Sequence, residues 1–127
     1  MKQAIETIHA PQPSGPYSQG VKVGQFIFVS GQDGVHPDGK LAGETIADQA
    51  AASLENIKNI LAETGADLSN IVHVTCHLSE LNQNTVQEFN KVYASYFEHV
   101  AVKPARITIG SQLLGVKVEI TAVAAIN

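Results

Sequence analysis

Arg106 and Glu119, near the end of the sequence, are side chains whose types could bind or act on a small molecule. A planar guanidinium binds a carboxylate through two parallel hydrogen bonds, which supply both charge and orientation. A partly buried carboxylate can orient a water molecule and accept its proton. Two structural interpretations stay open beside these. The two side chains can pair across neighbouring strands, or Glu119 can lie on a solvated sheet face.

Tyr17 and Asn90 are further candidates for contact with a ligand. Tyr17 follows Gly15-Pro16, and it is either a packed aromatic with a satisfied hydroxyl or a side chain that lines a pocket. Asn90 falls inside a predicted helix, where its side chain competes with the helical backbone for hydrogen bonds. That local misfit favours a specific contact for Asn90.

The histidines and the cysteine do not form a metal-binding pattern. His73 and His77 are four residues apart on a predicted strand, which separates them by about 13 Å and prevents them from chelating one ion. Cys76 points to the opposite face of that strand and is predicted to belong to the core. Because Cys76 is the only cysteine, an internal disulfide and a cysteine-rich metal site are excluded.

Hydrophobic periodicity predicts eight elements that position these residues. Strands are predicted over 2–8, 21–23, 25–30, 71–78, 105–109 and 116–125, and helices over 45–64 and 85–97. Residues 26–29 are apolar in succession, which is typical of a strand buried on both faces. Three prolines within residues 10–16 exclude helix and central strand and predict an ordered loop that carries Tyr17.

Local signals mark the ends of the first helix and one turn. Thr45 with Asp48 resembles a capping box, with Asp in place of the longer Glu. Gly65 occupies the position of a left-handed cap after the last helical turn. Asp38-Gly39 predicts a turn ahead of the first helix.

The order of these elements indicates an α+β fold with about six strands and two helices. Two helices can cover only one face of such a sheet. The other face is predicted to carry Val29, Thr75, Thr108, Thr121 and Val123 or their neighbours, a set too apolar for a wet surface. Since only 16% of the residues are charged, we expect other subunits to cover this face, and therefore an oligomer.

Length and charge limit the classes of function. The 127 residues fit one domain, 1–127. Eight basic and twelve acidic side chains give a net charge of −4, and no segment gathers Lys and Arg into a patch, which argues against a nucleic-acid partner. The first residues lack an apolar signal core, and no segment has membrane-spanning length. An intracellular, cytoplasmic protein without a membrane partner is therefore expected.

Three segments together resemble the YjgF/Rid family, which is also described as L-PSP endoribonuclease-like. They are residues 15–20 followed by 28–32, residues 89–93, and residues 104–106 with 118–120. The resemblance spans nearly the whole chain. Its most specific part is residues 10–32, because the proline-rich loop, the tyrosine and Ser-Gly-Gln occur there in the family's order.

This resemblance implies a chorismate-mutase-like fold and a homotrimer with ligand clefts between neighbouring subunits. It implies hydrolysis of reactive 2-imino acids to 2-keto acids and ammonia, as in the 2-iminobutanoate/2-iminopropanoate deaminases, without a metal or organic cofactor. In that pattern Arg106 anchors the substrate carboxylate and Glu119 orients or activates water. The positions that would line the pocket are Tyr17, Ser30, Gly31, Asn90 and Thr108.

Two departures from the family pattern concern this predicted pocket. Archetypal deaminases carry a cysteine two residues after the arginine, where this chain has Thr108. The reaction uses water as its nucleophile and needs no thiol, and the Thr108 hydroxyl can still hydrogen-bond water. The segment 110–115 is shorter than the deaminase pattern by about two residues, an even change that preserves the facing of Glu119. The rim of the pocket differs accordingly.

Two other functions share some of these features. A non-catalytic trimer that binds a small carboxylate needs Arg106 but not Glu119. An endoribonuclease or translation inhibitor, a function also attached to this family, must bind RNA, which the acidic charge balance disfavours. The sequence also contains no evident His–His or His–Lys constellation for strand cleavage.

Overall fold

Six strands and two helices make up the fold, as the sequence predicts. The strands are β1 (Gln3–Ile5), β2 (Gly20–Val23), β3 (Phe26–Asp33), β4 (Ile71–Leu78), β5 (Ala105–Gly110) and β6 (Val118–Ala125), and the helices are α1 (Ile46–Ala62) and α2 (Gln83–Phe97). They are taken from a computed structural model that describes all 127 residues. The strands form one mixed sheet in the order β1-β2-β3-β6-β4-β5, in which only β4 and β5 are parallel. No helix has the length and apolar character needed to cross a membrane.

Helix α1 begins and ends at the signals that the sequence carries. Thr45 Oγ1 accepts a hydrogen bond from the Asp48 amide at 3.0 Å, which is the first half of the predicted capping box. The amide of Ala47 is satisfied from outside the helix, by Glu88 Oε2 at 2.9 Å. Gly65 has a φ of 80°, which confirms the left-handed conformation expected there.

Helix α2 starts two residues earlier than predicted, because its cap is formed by Asn82. The Asn82 side chain accepts from the Thr85 amide at 2.9 Å, and Thr85 Oγ1 accepts from the Asn82 amide at 3.0 Å. One side of the helix buries Phe89, Tyr93 and Phe97, which are spaced four residues apart and so share one face.

The sheet has a helix face and an open face, and alternation along β6 distinguishes them. Val118, Ile120, Ala122 and Ala124 are buried on the helix face, and the residues between them, Glu119, Thr121, Val123 and Ala125, point to the open face. The open face is covered by no part of the chain. It presents Phe26, Phe28 and Ile107, which are 42%, 47% and 52% exposed.

The predicted burial of β3 on both faces is therefore wrong for a single chain. Ile27 and Val29 are buried, whereas Phe26 and Phe28 lie on the open face. An unbroken apolar run is equally compatible with one core face and one apolar surface that a second copy can cover.

Two side chains predicted for the open face, Val29 and Thr108, lie instead on the helix face. Val29 is paired with Ala122, and Thr108 is paired with Cys76, which is fully buried. Cross-strand partners share a face, so the register and not the residue type sets the facing. The predictions for Thr75, Thr121 and Val123 agree with the register.

Candidate functional site

Arg106 lies on β5, at the edge of the sheet, and its side chain is directed towards α2. It is the only arginine of the chain. Its guanidinium carbon is 4.7 Å from the ring centroid of Tyr93 and 5.8 Å from that of Phe89. Stacking on aromatic faces holds the guanidinium plane while leaving its N–H donors free at the edges. The Arg106 guanidinium thus contacts two aromatic rings and forms no ion pair.

Three buried oxygens without hydrogen-bond partners belong to residues around this cation or on the helix beside it. They are Tyr93 Oη, Thr108 Oγ1 and Asn90 Oδ1, and the chain has only one other such atom, Ser53 Oγ. Thr108 is two residues from Arg106 on β5, and Asn90 lies one turn before Tyr93 on α2. An unsatisfied buried polar group costs about 1–3 kcal/mol, so this concentration indicates a place where a polar ligand supplies the missing bonds.

The hydroxyl and thiol groups beside Arg106 stay protonated. Burial raises the pKa of Tyr93 to about 12, with a smaller contribution from Cys76. Burial likewise raises the pKa of Cys76 to about 12, although Arg106 and Thr108 partly oppose it. Cys76 is the cross-strand partner of Thr108, but Thr108 Oγ1 has no hydrogen-bond partner. The groups next to the cation are therefore neutral, and Arg106 keeps its charge free for an anion.

A second cluster surrounds Gly31, where β3 contains a bulge. Val29 pairs with Ala122 and Gln32 pairs with Ile120, so Ser30 and Gly31 together oppose Thr121 alone. Bulges of this kind redirect side chains next to functional sites. Because Gly31 has no side chain, the Glu119 carboxylate occupies the space that a Cβ would fill.

The bulge is tied to the proline-rich loop that carries Tyr17. Ser30 Oγ donates to the Ser18 carbonyl at 2.6 Å, and the Ser30 amide donates to the Gln19 carbonyl at 2.9 Å. The Tyr17 hydroxyl contacts Ser14 through its amide and its Oγ, both at 3.2 Å, and the side chain is 49% exposed. Tyr17, Gly31 and Asp33 line one open depression at this place.

Gln19 fixes the start of this loop. Its buried side chain accepts from the Thr7 amide at 2.7 Å and donates to the carbonyls of Thr7 and Pro11 at 3.0 and 2.9 Å. Prolines supply no amide donors of their own, so a side-chain amide takes over the role of backbone pairing.

Glu119 has a carboxyl neighbour that the sequence analysis did not single out. Asp33 is its cross-strand partner on β3, so the two carboxyl groups lie side by side on the open face. Burial raises the pKa of Asp33 to about 6, and the charge of Glu119 and the hydrogen bond to it contribute further. Below a pH of about 6 the Asp33 carboxyl therefore holds a proton that it can donate to Glu119.

Arg106 and Glu119 do not meet within one chain. Arg106 is on the helix face, Glu119 is on the open face, and β5 contacts β4 rather than β6. The cross-strand ion pair that the sequence left open is thereby overturned. Glu119 is on β6 and the bulge is on β3, two and three strands away from β5, and three interstrand spacings amount to about 14 Å.

No group of three or more His, Cys, Asp or Glu side chains is arranged to hold a metal ion. His73 and His77 both lie on the open face of β4, and His77 Nδ1 is hydrogen-bonded to Ser111 Oγ at 2.8 Å. Ser111 begins the short segment that follows β5, in which Gly115 has a φ of 73°.

The roles that the sequence did not reveal depend on contacts between segments that are far apart in the chain. Phe89 and Tyr93 lie within the predicted helix 85–97, and their position under Arg106 depends on where α2 crosses β5. A glycine inside an apolar strand is a signal for a bulge, and Gly31 offered that signal. Asp33 had no signal of its own, since only the register after the bulge brings it to Glu119.

Comparison with known proteins places the chain in a family. Residues 7–126 match the family model described as "Endoribonuclease L-PSP". A "RutC family protein" of Aquifex aeolicus is 43% identical over 117 residues, 91% of each chain. The "Putative reactive intermediate deaminase TdcF" of Escherichia coli K12 is 39% identical over 127 residues, which cover 98% of this chain and 97% of that one.

Solved structures agree with this match. The crystal structure of E. coli TdcF with bound serine has a TM-score of 0.90 and 38% identity, over 98% of this chain and 99% of that one. A structure from Thermotoga maritima, named as a putative endoribonuclease, has a TM-score of 0.91 and 38% identity, over 100% and 99% of the two chains. This chain belongs to the YjgF/Rid family, whose model carries the L-PSP description.

Proposed function

We propose that this protein hydrolyses reactive 2-imino acids to 2-keto acids and ammonia, with Arg106 binding the substrate carboxylate. The observation that carries the proposal is the state of Arg106: a guanidinium stacked on two rings, without an ion pair, among partnerless buried oxygens. The name of one relative supports the same chemistry, since the E. coli protein is called "Putative reactive intermediate deaminase TdcF".

The groups around Arg106 match the polar atoms of an imino acid. The guanidinium offers parallel donors to the carboxylate. The neutral Tyr93 and Thr108 hydroxyls add donors, and Asn90 Oδ1 is an acceptor for an imine N–H. The neighbour structure of TdcF holds serine, which carries the same carboxylate next to a nitrogen-bearing carbon.

We propose further that each complete site lies between two copies of the chain, as in the predicted trimer. The Arg106 cluster lies at the β5 edge and the Tyr17–Gly31–Glu119 cluster lies on the open face, too far apart to hold one small molecule together. The exposed side chains of Phe26, Phe28 and Ile107 give the open face the apolar character of a subunit interface. A second copy that places its β5 edge over this face brings the two clusters together.

In the resulting site, Glu119 acts on water. The water oxygen forms a bond to the imine carbon, the C=N electron pair moves to nitrogen, and the water proton passes to Glu119. The carbinolamine that forms from the protonated imine then collapses: Glu119 returns its proton to the nitrogen, the C–N bond breaks and ammonia departs. The hydroxyl oxygen forms the C=O bond as its proton passes to Glu119 and on to solvent. The substrate is already electrophilic, so Arg106 and Glu119 need to supply orientation and proton transfer only.

A carboxylate-binding trimer without catalysis is the second candidate. It is favoured by one observation, namely that partnerless buried oxygens belong to Tyr93 and Thr108, beside Arg106, and none belongs to a residue beside Glu119. RNA cleavage has no comparable support, because the chain has a net charge of −4 and its single arginine is stacked on aromatic rings.

The test uses 2-iminopropanoate generated in the assay by an amino acid oxidase, with semicarbazide as a competing trap. The wild-type protein should reduce semicarbazone formation by accelerating hydrolysis. Arg106→Ala should lower kcat/KM by about 100-fold, because it removes two charge-assisted hydrogen bonds. Lys58→Ala, which removes an exposed cation on α1, is the matched control and should retain wild-type kcat/KM.

Glu119→Gln separates the two candidates. In a deaminase it should abolish turnover while 2-oxobutanoate still raises the melting temperature, since the carboxylate anchor is intact. Wild-type protein that is stabilised by 2-oxobutanoate but leaves the spontaneous rate unchanged is a binding protein, and the proposed hydrolysis is then wrong.

A further inference from the structure

Asp33, Glu119 and His77 form a row across three neighbouring strands. Asp33 on β3 and His77 on β4 are both cross-strand partners of Glu119 on β6, and all three point to the open face. Cross-strand pairing places the Asp33 and Glu119 side chains next to each other on this face. The row exists because the bulge at Ser30-Gly31 shifts β3 by one residue and so brings Asp33 onto the open face.

No cation neutralises the two carboxyls. His77, the other neighbour of Glu119, is engaged through Nδ1 with Ser111 at 2.8 Å. Lys117, at the approach to β6, directs its ammonium to the Glu44 carbonyl at 2.6 Å. Tyr17 is the ionisable group of the proline-rich loop, and it lines the same depression as Gly31 and Asp33. Repulsion between Asp33 and Glu119 is therefore relieved by a shared proton rather than by a counter-charge.

We propose that Asp33 is a positioning residue for Glu119: the two carboxyls share one proton, and the charge of Asp33 sets how strongly Glu119 draws a proton from water. This inference rests on the proposed deamination, in which Glu119 accepts that proton. It assigns to Asp33 an action through Glu119 and no contact with the substrate.

The sign of the effect follows from the hydrogen bond. Protonated Asp33 donates to Glu119 and stabilises its negative charge, so Glu119 attracts the water proton less. Ionised Asp33 places a second negative charge beside Glu119 and favours proton transfer to it. Because the pKa of Asp33 is raised to about 6, mainly by burial, this change falls inside the range of a practical assay. The rate of hydrolysis should therefore rise as the pH increases through about 6.

Asp33→Asn tests this role, since an amide keeps a hydrogen-bond donor but cannot ionise. We expect the ratio of wild-type to Asp33→Asn kcat/KM to be near one at pH 5 and to rise to about threefold at pH 8, because general-base catalysis depends moderately on the strength of the base. The midpoint should lie at about pH 6. Titration of the substrate is common to both proteins and cancels in the ratio.

The matched control is Asp38→Asn, the same change at an exposed loop carboxylate that accepts from the Lys40 amide. Its ratio to wild type should be flat and near one from pH 5 to pH 8. If Asp33→Asn fails to fold, Asp33→Ser supplies the same test with a smaller neutral donor. A ratio for Asp33→Asn or Asp33→Ser that does not change with pH overturns the inference. The proposed function still stands in that case, provided that the wild-type protein hydrolyses the imine.

Carbon-13 NMR of the Asp33 carboxyl gives a readout that needs no turnover. Its titration midpoint should lie near 6 in the wild-type protein and should fall in Glu119→Gln, which removes the neighbouring charge. A midpoint that Glu119→Gln leaves unchanged overturns the pairing. If wild-type protein shows no turnover, the proposed function fails, and a falling midpoint then still supports the pair while the role in catalysis is lost.

Discussion

Replacing Gly31 by alanine should disable Glu119 while the fold persists. An added Cβ overlaps Glu119 Oε2 and lies 3.0 Å from Cδ and 3.3 Å from Cγ. Carbon atoms in normal contact are about 3.5–4.0 Å apart, so the carboxyl group must retreat by about 1 Å. Gly31 does not have a positive φ, and therefore the backbone itself accepts alanine.

The magnitude follows from what has to move. The obstructing atoms are the far end of a flexible side chain on the half-buried open face, so the free energy of unfolding should change by no more than about 1 kcal/mol. A catalytic group displaced by 1 Å loses about 100-fold in rate. Gly31→Ala should thus lower kcat/KM for 2-imino acid hydrolysis by about 100-fold. The two measurements are imine hydrolysis with a semicarbazide trap and urea unfolding.

Glu119→Asp supplies the rescue experiment. Aspartate is shorter by one methylene, so its carboxyl group leaves room for the alanine methyl. In the wild-type background this change retracts the carboxylate and lowers the rate, but in the Gly31→Ala background it should cost far less, which is a non-additive pair. Wild-type kcat/KM in Gly31→Ala, or strictly additive effects of the two changes, refutes the assignment of Glu119 to the reacting centre.

Two further predictions concern stability. Thr108→Val replaces a buried, partnerless hydroxyl by a methyl group, so it should raise the free energy of unfolding of the unliganded protein by about 1 kcal/mol in urea titrations and should reduce the stabilisation by 2-oxobutanoate. Asp33 has a pKa raised from 3.8 to about 6 in the folded state, so its contribution to stability is present at low pH and lost as the pH rises through about 6. Asp33→Asn should match wild type at pH 4 and exceed it by about 1–2 kcal/mol at pH 8, a figure reduced for the half-exposed carboxyl. Equal stabilities at pH 8 contradict this.

Much of the fold could be predicted because each element carries local signals. The alternation of 71–78 gave β4 without error, and Gly65 marked the end of α1. Strand β1 is shorter than the predicted 2–8 and β6 begins at Val118 rather than 116, since strands end where their partners end and not where alternation ends. Asn82 and Thr85 capped α2 through a box outside the expected Ser/Thr-to-Glu pattern.

The candidate residues could be named from the sequence, but their arrangement in space could not. Arg106, Asn90 and Thr108 are associated with one face of the sheet, whereas Gly31 and Glu119 meet on the other. Facing depends on strand register and on the bulge, which are properties of pairs of strands. Local periodicity contains no information about which strand lies beside which, so the division of the site into two clusters emerges only in three dimensions.

In the proposed assembly, the two faces of the sheet would make each copy of the chain a contributor to two different sites. With Arg106 on one face and Glu119 on the other, a copy would contribute its cation to the proposed cleft with one neighbour and its carboxylate to the proposed cleft with the other. A mixed assembly of Arg106 variants and Glu119 variants would therefore contain some clefts that carry both substitutions and some that carry neither. Activity would then depend on the interface between two copies, and two inactive variants would regain activity when mixed.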